Sequence, residues 1–218
     1  MPLVRPGTTK TRIRRRASST SASAKGTLKK LLVSQVRIDI LKLFLLKPEA
    51  RYHVRAITRR VGAEINAVRR ELENLISLGL LTRTSHKNRL IYSLREDFTH
   101  LNELLGLLVK EEGIGRALSG GRGLGEIKFA FISIPFLRGR TPEPTDIDLL
   151  VVGGSGLTRK ITNLVQEEEK RRKQEINYAV LTEKEFEELK KRRDPLILKA
   201  LLQPKVILTT EAQQYLTI

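Results

Sequence analysis

The stretch Thr145 to Val152, T-D-I-D-L-L-V-V, constrains the fold of this chain more than any other segment. Four consecutive apolar residues, Leu149 to Val152, read as a buried strand, which needs other elements packed over it. In extended backbone the side chains alternate between faces, so Asp146 and Asp148 share one face while Ile147 and Leu149 point into a core. Two carboxylates side by side repel each other unless a cation lies between them. A hard cation such as Mg²⁺ suits such a pair and would present a nucleotide triphosphate to it. A surface turn that happens to carry two acids fits the same spacing.

The flanking sequence supplies those elements. Residues 126–134 read as a buried strand, followed by the Pro- and Gly-punctuated loop P-F-L-R-G-R-T-P-E-P. After the opening strand, a helix is expected over Thr158 to Lys173. Its acids and bases recur four apart, Glu167 with Arg171, Glu168 with Arg172 and Glu169 with Lys173, the pattern of a solvated helix face. Glu175 to Leu181 reads as a third strand. Thr182 and Glu185 form a capping box for a helix through about Lys191. Pro195 to Leu202 reads as helix and Lys205 to Leu208 as a last short strand.

The front of the chain has a different character. The net charge is +17, and the first 98 residues carry +15 of it. That asymmetry points to a polyanionic partner, nucleic acid first and an anionic membrane surface second. Residues 1–27 are rich in Ser, Thr, Arg and Ala and read as a disordered basic arm with its densest cluster at Arg12, Arg14, Arg15 and Arg16. A solubilising tail or a targeting peptide fits the same composition, although the apolar core of a secretory signal is missing. The chain has no Cys, and its three His residues lack metal-site spacing. No apolar run reaches the ~20 residues of a membrane span, and with no Cys a reducing cytoplasm is the expected compartment, although other compartments fit the lack of Cys too.

Apolar residues at helical spacing predict a helix over 33–46, with Val33, Val36, Ile40, Leu41, Phe44 and Leu45 inward. A short helix follows at His53 to Val61, broken by Gly62, and a third at Glu64 to Leu78, ended by Gly79. Two β-prone runs, Leu80–Thr84 and Leu90–Leu94, flank the polar turn Ser85-His86-Lys87-Asn88 and predict a hairpin. A further amphipathic helix is expected at 98–110. The six-glycine stretch 111–125 fits no phosphate-loop pattern and reads as a flexible connection.

Three helices and a hairpin in this order, with V-R-A-I-T-R-R-V-G, A-V-R-R-E-L-E-N-L, L-G-L-L and R-L-I-Y-S-L between Tyr52 and Leu94, resemble the winged helix-turn-helix domains of prokaryotic regulators, the ArsR-like group among them. The resemblance implies that the third helix enters the major groove of double-stranded DNA. There, Asn66, Arg69 and Arg70 are of the types that read base edges. Arg55, Arg59 and Arg60 on the second helix would position phosphates, and Lys87 and Arg89 at the wing tip would reach the backbone or minor groove. A solvated face, with Glu73 beside Arg69 and Arg70, is the simpler reading of the same residues. In such regulators the helix at 98–110 often pairs with its copy, which implies a homodimer; packing on the next domain is the alternative.

Strand, loop, D-x-D strand, helix, strand resembles the minimal nucleotidyltransferase fold of the DNA polymerase beta superfamily, over about residues 112–210. The resemblance implies a Gly-Ser turn ahead of the two acids and a third acid on the next strand. Here Ile134-Pro135 occupies the Gly-Ser positions, or Ser133 the serine position after a two-residue slip. Asn177, Tyr178 and Ala179 stand where the third acid belongs. Ile134 crowds the approach of phosphate and Pro135 has no N–H to donate. A domain that has lost catalysis is therefore expected, with Mg²⁺ at Asp146 and Asp148 as the residual metal site. Its roles would be sensing a nucleotide effector or docking a partner. An active nucleotidyltransferase, or the antitoxin of a HEPN-type toxin pair, is the alternative.

The expected organisation is thus a two-domain α/β protein. It comprises a basic arm (1–27), a winged helix-turn-helix (28–97), a helix with a Gly-rich linker (98–125), and a nucleotidyltransferase-like α+β mixed sheet (126–218).

Overall fold

A computed structural model describes residues 31–120, 126–141, 143–209 and 212–216. The basic arm 1–27 and the glycines of 121–125 lie outside the described residues. Within them the chain is a mixed α/β protein with two sheets and ten helices.

The front half begins with α1 (Gln35–Leu45), capped by the Ser34 side chain, which accepts from the Arg37 N–H. Val33 is not part of its apolar face: it precedes the cap, has φ +62° and is 81% exposed. Ile38, Ile40, Leu41, Phe44 and Leu45 are buried instead. A two-residue strand, β1 (Tyr52–His53), leads into α2 (Val54–Val61). Gly62 closes α2 in the left-handed conformation, φ +69°, its N–H bonded to Thr58 O at 2.9 Å. Glycine takes that conformation without strain, so the chain turns within three residues into α3 (Ile65–Ser77). Strands β2 (Leu81–His86) and β3 (Arg89–Leu94) form the expected hairpin, in register from Leu81↔Leu94 to His86↔Arg89. Its two-residue turn, Lys87-Asn88, has φ of +44° and +61°, the left-handed pair that matches strand twist. β1 adds to β3 and makes a three-stranded sheet of order β1-β3-β2.

The segment expected to be a helix and a flexible linker is largely structural. α4 (Leu101–Lys110) buries Leu101, Leu105, Leu108 and Val109 within the chain. Its apolar stripe is therefore covered, apart from the exposed Leu107. Residues Gly113–Gly120 form α5, where Ile114 and Leu118, four apart, are buried. Small size, not flexibility, explains Gly115, since a Cβ there would collide with the Val109 backbone.

The second sheet has the order β6-β5-β4-β7. β4 (Ile127–Ser133) pairs antiparallel with β5 (Leu149–Gly153) and with β7 (Lys205–Ile207). β5 pairs in parallel with β6 (Tyr178–Leu181), and α7 (Thr158–Arg172) supplies the crossover that parallel neighbours need. The strand of the opening motif thus starts at Leu149, three residues after Asp146 and one after Asp148. Between β4 and β5 lies α6 (Ile134–Leu137), capped by Ser133. The remaining helices are α8 (Glu183–Lys191), with the expected capping box, α9 (Pro195–Leu202) and the four-residue α10 (Gln213–Leu216).

Alternation along β4 and β5 sends side chains to two different cores, as a strand buried on both faces requires. Phe129, Phe131, Leu150 and Val152 pack with Phe186, Ile197, Leu201 and Tyr215 from α8, α9 and α10. Ala130, Ile132, Leu149 and Val151 pack with Ile161 and Val165 of α7. That second cluster continues through α4 and α5 into α1, α2, α3 and the hairpin. Among the described residues no helix is long and apolar enough to cross a membrane.

Candidate nucleic-acid interface

Helix α3 is held from three sides. Glu64 is its N-cap, and one carboxylate oxygen accepts from the Asn66 and Ala67 N–H groups at 2.9 and 3.0 Å. Those two backbone bonds hold the Glu64 carboxyl below its usual range. Glu64 is thereby engaged by the helix end and does not stand on the exposed face as a free acid. The buried Glu71 accepts from Arg37 Nε of α1 at 2.9 Å. Burial pushes the Glu71 carboxyl up, but hydrogen bonds from Ser34 and Arg37 bring it below the ordinary value. Glu73 pairs with Arg83 of β2 at 2.7 Å and ties α3 to the hairpin. Helical spacing, four residues from Arg69 and three from Arg70, assigns Glu73 to those arginines; the structure gives it to the strand.

The opposite surface of these elements is cationic. Asn66, Arg69 and Arg70 are exposed on α3, Arg55 and Arg59 on α2, and Lys87 and Arg89 at the hairpin tip. Among the described residues none of these arginines and lysines has a carboxylate at ion-pair distance. Arg60 differs: its guanidinium lies over the Tyr52 ring, 4.6 Å from the centroid, and donates to Ala56 O. It is tethered where its neighbours are free to reach outward. A cleft of about 470 Å³ opens between α2 and α3, lined by His53, Arg55, Thr58, Arg59 and Ile65. The His53 Nδ1 caps α2 by accepting from Ala56 N–H at 3.2 Å, so its proton sits on Nε2.

The acids of the opening motif lie in a different environment. Asp146 and Asp148 are both buried, 4% and 1% exposed. Asp146 Oδ2 is 2.7 Å from Arg140 and accepts from the Glu143 N–H at 3.0 Å, while Oδ1 has Lys199 Nζ at 2.9 Å. Burial pushes the Asp146 carboxyl up, but Lys199, the Glu143 amide and Arg140 outweigh it and hold it low. Among the described residues no cation lies at ion-pair distance from Asp148. Its oxygens accept from the Ser133 hydroxyl at 3.2 Å and the Asn177 N–H at 3.3 Å. Burial, with Asp146 adding to it, pushes its carboxyl up.

The Mg²⁺ expectation can be tested on these contacts. Both oxygens of Asp146 face fixed cations of the protein, and among the described residues no group of three or more acids or histidines converges. The residues do not fit a divalent metal. Spacing alone showed the mutual repulsion of the two acids. It could not show that Lys199, 53 positions away in sequence on α9, relieves it. Ile134 and Phe136 are buried behind Ser133, whose hydroxyl accepts from the Phe136 N–H and donates to Asp148.

The supposed solvated face of α7 also differs from expectation. Glu168 is 3% exposed. It takes Arg171 at 2.5 and 3.0 Å and Arg172 at 2.6 Å, and accepts from the Ile114 N–H of α5 at 3.3 Å. Burial raises the Glu168 carboxyl, but the two guanidiniums hold it below the usual range. Arg171 continues to Glu112, and Glu112 to Lys42 of α1 at 2.6 Å. Gly113, φ +51°, passes so close that a Cβ would overlap Glu168 and Arg171. Of the three pairs expected on α7, only Glu168 with Arg172 forms as such, and it forms inside the protein.

No family model matches the chain, and no curated protein matches it. Among solved structures, the crystal structure of human N-acetylserotonin methyltransferase in complex with SAM matches at 20% identity. That match covers 50% of this chain and 37% of the methyltransferase, with a TM-score of 0.28. A likeness that loose transfers nothing about activity. These findings correct the two resemblances drawn from sequence: membership of neither the ArsR-like winged-helix regulators nor the nucleotidyltransferases is supported. The motifs behind them are short, and runs such as L-G-L-L or D-x-D arise wherever a helix must end or a buried strand begins.

Proposed function

We propose that this protein binds double-stranded DNA in a sequence-specific manner and acts as a transcriptional regulator. In this proposal α3 lies in the major groove and the β2–β3 hairpin alongside it. The observation that carries the reading is the outer surface of α3: Asn66, Arg69 and Arg70 are exposed, while of the acids nearby Glu73 is drawn away by Arg83 and Glu64 is engaged by the helix end. Arginine pairs bidentately with guanine and asparagine with adenine, so these side chains suit base edges. Arg55 and Arg59 around the α2–α3 cleft, with Lys87 and Arg89, suit phosphates. The +15 carried by the first 98 residues supplies the long-range attraction.

The test is selection of a preferred duplex from a random pool, followed by anisotropy titrations over a range of salt. Arg69→Ala and Arg70→Ala should each weaken the selected duplex by about tenfold or more. They should lower the discrimination against random duplex at the same time. Equal binding by parent and both variants at moderate salt sinks the assignment of α3.

A further inference from the structure

The C-terminal half contains two basic runs of nearly the same sequence, Lys170-Arg171-Arg172-Lys173 at the end of α7 and Lys190-Lys191-Arg192-Arg193 at the end of α8. In the first run both arginines are engaged by the buried Glu168. In the second, Lys190 pairs with Glu187 and lies over the Phe186 ring. The next three cations, Lys191, Arg192 and Arg193, are exposed, and among the described residues no carboxylate lies at ion-pair distance from them. The adjacent acid, Asp194, is occupied as the N-cap of α9, accepting from Leu196 and Ile197 N–H.

Cations in the last turn of a helix are favoured by the partial charge of its carbonyls, which accounts for Lys190 and Lys191. It does not account for Arg193. That residue lies past the helix end at φ +54°, with its N–H on Lys190 O and the Asp194 N–H on Leu189 O, both at 3.0 Å. This is the left-handed closing position where glycine is the unstrained residue. A long cation held there, unpaired and beside two others, points to a role for its charge.

α8 covers the face of the second sheet that packs on Phe129, Phe131, Leu150 and Val152, whereas the α1–α3 unit joins the core on the other face. The two basic surfaces are therefore carried by opposite layers of the molecule. We infer that Lys191, Arg192 and Arg193 form a second contact for the phosphate backbone of duplex DNA, separate from α3. One chain then holds two duplex segments at once. This does not rest on α3 reading base edges.

The experiment uses the full chain, a random-sequence duplex tethered to beads and a second, fluorescent duplex in solution. The parent protein captures the second duplex. The triple variant Lys191→Ala/Arg192→Ala/Arg193→Ala loses at least tenfold of that capture while still unfolding in a cooperative transition. Three phosphate contacts correspond to a salt slope of about 2.7, so the lost component weakens roughly fortyfold between about 50 and 200 mM salt. Arg193→Gly separates binding from folding: it raises the melting temperature while lowering capture. Undiminished capture by the triple variant, or none by the parent, overturns the inference, whatever the outcome at Arg69 and Arg70. So does a triple variant that loses only its binding to phosphatidylserine vesicles. Loss of capture in the triple variant together with unaltered binding by the α3 variants upholds it and removes the α3 assignment alone.

Discussion

The cations of α2 and α3 and those around Glu168 come from similar runs of residues, yet their surroundings are opposite, and the cations at Asp146 side with the second group. On α2 and α3 they stand in solvent with no acid at ion-pair distance among the described residues. At Glu168 and Asp146 they are drawn onto carboxylates that are 3% and 4% exposed. The difference teaches where such charge acts. A buried acid cannot remain ionised alone, so it recruits guanidinium and ammonium groups into the architecture. An exposed cation without that neighbour contributes a field instead, felt by whatever polyanion approaches.

Removing the buried acids tests one side of that contrast most severely. Glu168→Ala leaves Arg172, 11% exposed at its side chain, without its partner and frees the Ile114 N–H. A loss of about 3 kcal/mol in denaturant unfolding is expected. Gly113→Ala, which forces a methyl into the same carboxylate, should fall in that range too.

The two aspartates should part company next. Asp146→Asn weakens contacts to Arg140 and Lys199, both more than a third exposed, so a loss of about 1 kcal/mol is expected after solvent screening. Asp148→Asn replaces a buried carboxyl whose ionisation burial disfavours and which has no cation at ion-pair distance among the described residues, and should be neutral or stabilising at pH 7 by calorimetry. A loss at Asp148 larger than at Asp146 would break the distinction drawn between them.

Acid titration sharpens it further. Glu168 and Asp146 have lowered folded-state values, so their contribution is complete above the unfolded-state carboxylate range of about 4 and is lost as pH falls through those lowered values. Asp148 has a raised value and runs the other way: it weakens the fold as pH rises from about 4 through that value. The melting temperature should therefore fall on acidification below about pH 4 in both proteins, whereas between the raised Asp148 value and about pH 4 acidification should stabilise the parent more than Asp148→Asn. The smallest effect belongs to the front surface: Arg69→Ala and Arg70→Ala should change stability by no more than about 0.5 kcal/mol.

Much of the secondary structure was legible. The helical spacing of Ile40, Leu41, Phe44 and Leu45, Gly62 between two helices and the Thr182–Glu185 box each have a local physical cause, and each appears where expected. The burial of Leu149 to Val152 was legible for the same reason, though not that the strand serves two cores. Distance in sequence hid the rest. Lys199 reaches Asp146, Arg37 reaches Glu71 and Ile114 reaches Glu168 only after folding, and no periodicity encodes such meetings. The stretch 111–125 misled because glycines suggest freedom by composition. Part of it is instead a helix whose small residues permit close packing. Short motif matches misled in another way, by fitting a fold's grammar without establishing kinship.

The apolar cluster that passes from α1 through α4 and α5 to the inner face of the second sheet has a consequence for how the molecule comes apart. Heat cannot release the front helices without opening the interior they share with β4 and β5, so calorimetry should record a single cooperative transition. A chain break near residue 98 would expose a wet, half-built interior on both fragments, and the natural unit for expression spans both sheets.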